Sequence, residues 1–249
     1  MGSGKYSVLA GAISREQRLA NIATNLANVN TIGYKKTRMS FESLLRGEQQ
    51  IKQAGGINYS RVRENFTEFT EGHIKGTGNP LDMAIHGDGF FKVQSQDGEK
   101  YTRRGDFRIN QDGTLLTGNN MPVLDNGNAP ILIPESDTSK FAVNSLGEVS
   151  ILSVDGSREI VGIIAVYTIN DNRNLKRESD TLFSLKEDGE EFLIEEPTLA
   201  TGSLEISNVN ITEEMALMIE STRTFESFQK AIKAYSKLGQ KQDELGTVG

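Results

Sequence analysis

The chain has 249 residues, with 27 basic against 34 acidic side chains, 36% hydrophobic residues, 25 glycines and no cysteine. That length and apolar fraction suit one large or two modest globular domains and exclude a disordered chain. The lack of cysteine excludes a disulfide framework, a thiolate metal site and a cysteine nucleophile, and with only His73 and His86 a polyhistidine metal centre is excluded too.

Charge is unevenly spread. Residues 1–63 carry 10 basic and 3 acidic side chains, residues 64–210 carry 12 and 25, and residues 211–249 carry 5 and 6, giving +7, −13 and −1. A nucleic-acid partner is not expected, because duplex binding needs a concentrated positive face and the acidic remainder would be repelled. Direct membrane insertion is not expected either, since no run approaches the roughly 20 apolar residues that spanning requires. The segment KYSVLAGAI, Lys5 to Ile13, places one positive charge before an apolar run, as a secretory signal does. It lacks a small-residue cleavage site and is followed at once by Arg15, Glu16 and Arg18, so it reads as the start of an amphipathic helix.

That helix is predicted over residues 7–27. Leu9, Ala12, Glu16, Leu19, Ala23 and Leu26 recur at alternating spacings of three and four, and Ile13, Ala20, Ile22 and Ala27 widen the stripe. Its small residues permit close approach of another helix, as heptad positions of a bundle do. Gly11 costs about 1 kcal/mol inside a helix, and Ser14 with Gln17 offers a capping box at which the helix could start later. Asn28, Asn30, Thr31 and Gly33 then end the pattern, Gly33 being able to take a positive φ. Residues 34–75 read as an extended arm or long hairpin, with Phe41, Leu44 and Leu45 forming a short helical turn at its base.

Residues 76–205 are a succession of short β-branched and aromatic runs, among them AIHGDGFFKVQ, YTRRGDFRIN and IVGIIAVYTI. Turn dipeptides punctuate them at Asp97-Gly98, Asp112-Gly113, Asn126-Gly127, Asp155-Gly156 and Asp188-Gly189. A barrel or sandwich without crossover helices is predicted. Helix returns over residues 211–238, with Asn210 as N-cap and Glu213 and Glu214 at the positive end of the helix dipole. Its stripe is Ile211, Met215, Met218, Thr222, Phe225, Phe228, Ile232, Tyr235 and Leu238, again at spacings of three and four.

The fold class expected is therefore α+β. N- and C-terminal helices (1–33 and 211–249) form a coiled-coil-like assembly domain, residues 34–75 form the arm, and residues 76–210 form a central, mainly antiparallel β domain. The assembly residues predicted are Leu9, Ala12, Leu19, Ala23, Leu26, Met215, Met218, Phe225, Phe228, Ile232 and Tyr235. Long apolar seams on isolated helices are marginal in water and seek partners, first each other and then neighbouring copies.

Patterns that resemble chemical sites have simpler readings. Gly76-Thr77-Gly78 and Gly87-Asp88-Gly89 begin like phosphate loops, but Leu81 and Lys92 stand where the motif needs a later Gly, so both read as turns. His73 and His86 lack partners at metal-ligand spacing. Glu190, Glu191, Glu195 and Glu196 read as a solvated hairpin edge rather than a hydrolytic carboxylate pair. Asp125-Asn126-Gly127-Asn128 has calcium-like ligands, but Ser136 stands where the bidentate Glu belongs, so a turn suffices. No catalytic residue, metal or cofactor is expected.

The run Ala23-Thr24-Asn25-Leu26-Ala27-Asn28-Val29-Asn30-Thr31-Ile32-Gly33-Tyr34-Lys35 resembles the N-terminal signature of the bacterial flagellar rod and hook proteins, A-N-N-L-A-N-x-x-T-x-G-F-K. It departs from that signature at Thr24 and Tyr34. Further resemblance lies in Asn79 to Phe91, which includes Asp82, Gly87, Gly89 and Phe90, and in Tyr101-Thr102-Arg103. A last match runs from Gly202 to Asn210, including Ser207 and Asn208, with Ile206 where a Gly is common. Within the family the short segment after Leu45 and the ending KLGQKQDELGTVG are most like the proximal rod members. The resemblance implies a structural subunit of the flagellar basal body, exported unfolded through the flagellar type III apparatus without a cleaved signal. It implies polymerisation head to tail, with copies of itself and other axial proteins, into the hollow shaft crossing the periplasm. A distal rod or hook subunit is the nearest alternative, and a secreted β-rich binding or adhesion module is an alternative of a different class.

Overall fold

A computed structural model describes residues 2–46, 57–133, 141–152, 158–179 and 181–246. The chain divides into two compact units, one of Met1–Ala27, Thr37–Phe66 and Asn210–Gly249, the other of Asn28–Lys36 and Thr67–Val209.

The first unit is built on two helices, α1 (Gly2–Ala27) and α2 (Ile211–Gly246), with strands β1 (Thr37–Arg46) and β2 (Ile57–Thr67) paired in a two-stranded sheet. Helix α1 starts at Gly2, not at the capping box offered by Ser14. Gly11 has a packing reason to sit inside it, because a Cβ there would lie 2.7 Å from Cε1 of Phe228; the missing side chain makes room for the ring. Helix α2 starts where expected. The Asn210 side-chain oxygen accepts the N–H groups of Thr212 and Glu213 at 3.0 and 3.2 Å, and its carbonyl accepts that of Glu214 at 3.0 Å. This satisfies donors that a helix start otherwise leaves unpaired. Phe41, Leu44 and Leu45 do not form a helical turn. They lie in β1, where pairing along β2 satisfies more backbone groups than one isolated turn can.

The coiled-coil-like pairing is overturned. Among the described residues α1 and α2 are the two α-helices, and they pack on each other, but what they bury is not a heptad seam. Fully buried on α1 are Ala12, Ser14, Ile22 and Asn25, and on α2 Glu214 and Ser221, so polar groups occupy several positions where knobs-into-holes packing prefers large apolar ones. The partly buried α2 residues Leu217, Met218, Thr224, Phe225, Phe228, Ala231 and Ile232 complete that face. Ile211, Met215 and Ile219 follow at four-residue spacing on another face and remain 47%, 52% and 56% exposed. On α1, Leu9 and Ile13 are likewise exposed. The single stripe predicted for each helix is in fact two apolar faces, one used inside the unit and one left uncovered.

Among its described residues the second unit is β apart from a short 3-10 helix at Asn172–Asn174, and the strand pairings are antiparallel. In chain order its strands are β3 (Ile74–Gly76), β4 (Met83–Ile85), β5 (Phe90–Ser95), β6 (Gly98–Thr102), β7 (Phe107–Ile109) and β8 (Leu115–Thr117). After these come β9 (Phe141–Val143), β10 (Glu148–Leu152), β11 (Arg158–Ile163), β12 (Val166–Ile169), β13 (Leu175–Arg177) and β14 (Leu182–Leu185). The last are β15 (Glu191–Leu193), β16 (Leu199–Thr201) and β17 (Ser203–Glu205). A six-stranded sheet runs β13-β14-β6-β5-β12-β15, a three-stranded one β11-β10-β9, and β16 pairs with β4, β17 with β3, β7 with β8. The chain therefore closes by laying its last two strands against its first two.

Two of the predicted turn dipeptides join paired neighbours, Asp97-Gly98 between β5 and β6 and Asp112-Gly113 between β7 and β8. At Asn126-Gly127 the positive φ falls on Asn128 instead, at 61°, because the Asp125 carboxylate accepts the N–H groups of both Gly127 and Ala129 at 2.8 Å and sets the turn itself. Asp188-Gly189 separates β14 from β15, which are not partners. Asp155-Gly156 lies outside the described residues.

Alternation along β5 divides the core. Phe91 joins Met83, Ile85, Phe107, Val123, Ile164, Val166 and Leu199 in one cluster, and Phe90 joins Tyr101, Tyr167, Ile169, Leu175 and Phe183 in the other. In the second cluster Phe183 meets Phe69 and Phe90 edge to face, with ring centroids 5.1 and 6.1 Å away. Phe183→Ala is expected to cost about 3–5 kcal/mol, read as a lower urea midpoint in the β unit.

Candidate functional site

The signature motifs converge in the β unit on one buried ion cluster. The chain leaves α1 through a turn in which Thr31 N–H donates to the Asn28 carbonyl at 3.1 Å and Thr31 Oγ1 to Asn28 Oδ1 at 3.0 Å. Gly33 follows at φ 68°, and its N–H donates to the Glu205 carbonyl at 2.8 Å. A Cβ on Gly33 would sit 2.5 Å from the backbone nitrogen of Arg104, so both conformation and space demand glycine. Tyr34 is buried next, with the Arg177 guanidinium 4.8 Å above its ring, and Arg177 also donates to the Lys35 carbonyl.

Lys35, Arg103 and Glu205 are 0%, 2% and 1% exposed. Lys35 Nζ donates to Glu205 Oε1 at 2.6 Å and to the Thr70 carbonyl at 2.7 Å. Glu205 Oε1 also accepts Gly72 N–H at 2.7 Å, and its Oε2 faces Arg103 Nη1 at 3.4 Å. Arg103 Nη2 donates to the Gly87 carbonyl at 2.7 Å, and its guanidinium lies 5.2 Å from the Phe90 ring centroid. Burial pushes the pKa of Lys35 and of Arg103 down, against the opposing pull of Glu205. Glu205 is the carboxylate that both cations contact, and it offsets part of the cost of burying them.

The remaining motif residues frame this cluster. Asn208 Oδ1 accepts Lys36 N–H at 2.7 Å, and its amide donates to the Glu68 and Thr70 carbonyls. Ser207 Oγ accepts Val209 N–H at 3.2 Å. Asp82 takes hydrogen bonds from Thr77 Oγ1 and Asn79 Nδ2 at 2.6 and 2.9 Å, while its carbonyl accepts Gly202 N–H at 2.8 Å. At Gly89 a Cβ would meet Val166 Cγ1 at 2.6 Å. In the helical unit Asn25 spans Thr37 in both senses, donating to its carbonyl and accepting its N–H at 3.0 Å. Leu26 is partly buried and Ala27 is the last residue of α1. Arg103 and Glu205 stand inside the quoted motifs, yet sequence reasoning did not single them out; Glu205 between Leu204 and Ile206 is a charge with apolar neighbours, whereas Arg103 between Thr102 and Arg104 offers no such signal.

The predicted assembly residues divide. Ala12 is buried and Leu19, Leu26, Met218, Phe225, Phe228 and Ile232 are partly buried, whereas Leu9, Ala23, Met215 and Tyr235 are exposed. An apolar recess of about 380 Å³ in the helical unit is lined by Val8, Arg223, Thr224, Ser227, Phe228 and Ala231.

A second charged group lies on the six-stranded sheet. Lys92 Nζ reaches Glu99 at 2.6 Å, Glu191 at 2.9 Å and Asn128 Oδ1 at 3.0 Å, and Tyr101 donates to the other oxygen of Glu191. Glu191 is therefore not part of a merely solvated edge; it fastens β15 through Lys92 to the sheet interior. Burial, then the Glu191 hydrogen bond, raises the Tyr101 pKa. For Lys92 burial pulls downward, but the bonds to Glu99 and Glu191 outweigh it and raise the pKa. His86 contacts Glu71 at 3.3 Å at the surface. Among the described residues no group of three His, Asp or Glu side chains is placed to hold a metal ion, and no helix is long and apolar enough to cross a membrane.

Gly33→Ala is expected to cost at least about 2 kcal/mol, from the left-handed backbone and the clash at Arg104 together, measured by urea unfolding of the purified chain. Two groups whose folded pKa is raised contribute stability that is complete below their ordinary values and is lost as pH rises through the folded ones. The urea midpoint should therefore fall as pH climbs above about 10. Tyr101→Phe should leave the 295 nm tyrosinate signal of the native protein at pH 10 unchanged; a signal smaller by about half a tyrosine would show that Tyr101 ionises normally.

Comparison with known proteins bears on both units. The profile of the flagellar hook protein FlgE/F/G D1 domain matches residues 84–151, and that of the flagellar basal body rod FlgEFG protein C-terminal region matches residues 200–245. The chain is 33% identical over 246 residues to the flagellar basal-body rod protein FlgG of Bacillus subtilis, covering 91% of this chain and 92% of that one. It is 31% identical over 229 residues to FlgF of Mesorhizobium japonicum, covering 91% and 90%. It is also 31% identical over 255 residues to FlgF of Caulobacter vibrioides, covering all of both chains. Likeness at this level along nearly the whole of both chains shows the family: the chain belongs to the flagellar basal-body rod and hook proteins.

Proposed function

We propose that this protein is a structural subunit of the flagellar basal-body rod. It is similar to both FlgG and FlgF relatives and matches one FlgF from end to end, and we place it in the proximal rod. The observation that carries the mechanism is the second apolar face of the helices. Ile211, Met215 and Ile219 on α2 and Leu9 and Ile13 on α1 stay exposed although the helices already pack on each other, so this surface is left for other chains. A head-to-tail contact whose rotation does not close generates an open helical filament, and torque is then carried by packing. Partners are copies of the chain and other axial proteins. The chain leaves the cell unfolded through the flagellar type III apparatus without a cleaved signal and is assembled in the periplasm. With no cysteine, it cannot be trapped by wrong bridges in an oxidising compartment. No enzymatic step is required of it.

The two helix faces separate experimentally. Met215→Asp and Ile219→Asp are expected to abolish incorporation into basal bodies while shifting monomer unfolding by no more than about 0.5 kcal/mol, as surface changes do. Leu26→Asp and Phe225→Asp should instead destabilise the helix pair itself, because a charge enters a partly desolvated contact. Motility and rod incorporation of the first pair at wild-type level would remove the outward face from the interface. Cross-linking to neighbours in isolated basal bodies distinguishes a proximal from a distal position.

A further inference from the structure

Glu205 is supplied by β17, the last strand of the β unit, yet it is the counter-charge shared by two cations from near its beginning and middle. Its partner Lys35 lies 170 residues earlier and Arg103 lies 102 residues earlier. Until β17 is in place, closing the unit would bury Lys35 and Arg103 with no carboxylate between them, and an uncompensated buried charge is strongly unfavourable. The same strand also supplies the carbonyl that Gly33 N–H requires, and Gly72 N–H has its partner in the Glu205 side chain. Strand β17 pairs with β3 at Glu205–Ile74, so the charge arrives only when that register is made.

We infer that Glu205 is a closing counter-charge: the β unit has no stable form in which residues 199–209 are detached, so the middle of the chain stays open until its C-terminal portion is available. This inference concerns the single chain and stands apart from assembly. Its use rests on the export reading above, in which the chain travels unfolded and must not fold part-way.

Native-state hydrogen exchange on the full-length monomer tests it. Amides of β17 and β16 should open together with those of β5 and β6, with protection equal to within about threefold, the behaviour of one cooperative unit. Exchange of β16 and β17 at a tenfold or greater excess over β5 and β6 would overturn the inference, because the end strands would then detach from a unit that remains closed. Lys35→Met with Arg103→Met and Glu205→Leu removes the charges while roughly keeping volume, and such replacements are commonly tolerated. In that triple variant β17 should exchange about tenfold faster than β5. Continued joint opening would show that something other than the charges ties the ends; should the variant not fold, the exchange comparison in the unaltered chain decides alone. Neither result depends on whether rods form, so loss of this inference and loss of the rod reading are separable.

Discussion

Taking two cations out of water is tolerable only while a carboxylate lies between them, and in this protein that condition joins distant parts of the chain. Lys35 leaves the first signature motif, Arg103 follows β6, and Glu205 ends β17. Around the three charges, Gly33, Gly72, Gly87 and Thr70 are fixed by backbone hydrogen bonds that the same groups make or adjoin. Residues that look like separate sequence signatures are thus one physical object. A hydrophobic replacement would serve stability as well or better; what the charged version adds is dependence of each part on the others.

The helical unit follows a different logic. At the contact between α1 and α2, Phe228 is set over Gly11 and polar groups are buried on the same face as the partly covered Phe225 and Ile232; other large apolar residues are not used there. Those residues stay on a second face, as Met215 and Ile219 do. A subunit that spent all of its apolar surface on itself would have little left for neighbours. The antiparallel β unit, by contrast, buries its apolar residues in two clusters, one mainly aliphatic and one mainly aromatic.

Much of this was legible in the residues. The Asn210 cap, the helix exit at Gly33 and the hairpins at Asp97-Gly98 and Asp112-Gly113 were readable because each depends on a few adjacent residues whose φ or hydrogen bonds are set locally. The failures share a cause as well. The helical turn at Phe41, Leu44 and Leu45 gave way to a strand because β2 offered pairing that local propensity does not see. Glu191 read as solvated because its partners Lys92 and Tyr101 stand some 90 to 99 residues away.

By itself, the amino-acid order determined two amphipathic ends, a β middle and membership of a flagellar family, since periodicity, turn chemistry and motif spacing are properties of short stretches. Only the tertiary structure decided which helix face is spent inside the chain and which is kept, and that Glu205 serves both Lys35 and Arg103. Both are questions about which surfaces meet. A stripe at spacings of three and four says that a helix has something to bury, but the partner that buries it is chosen by the packing of segments brought together from opposite ends of the chain.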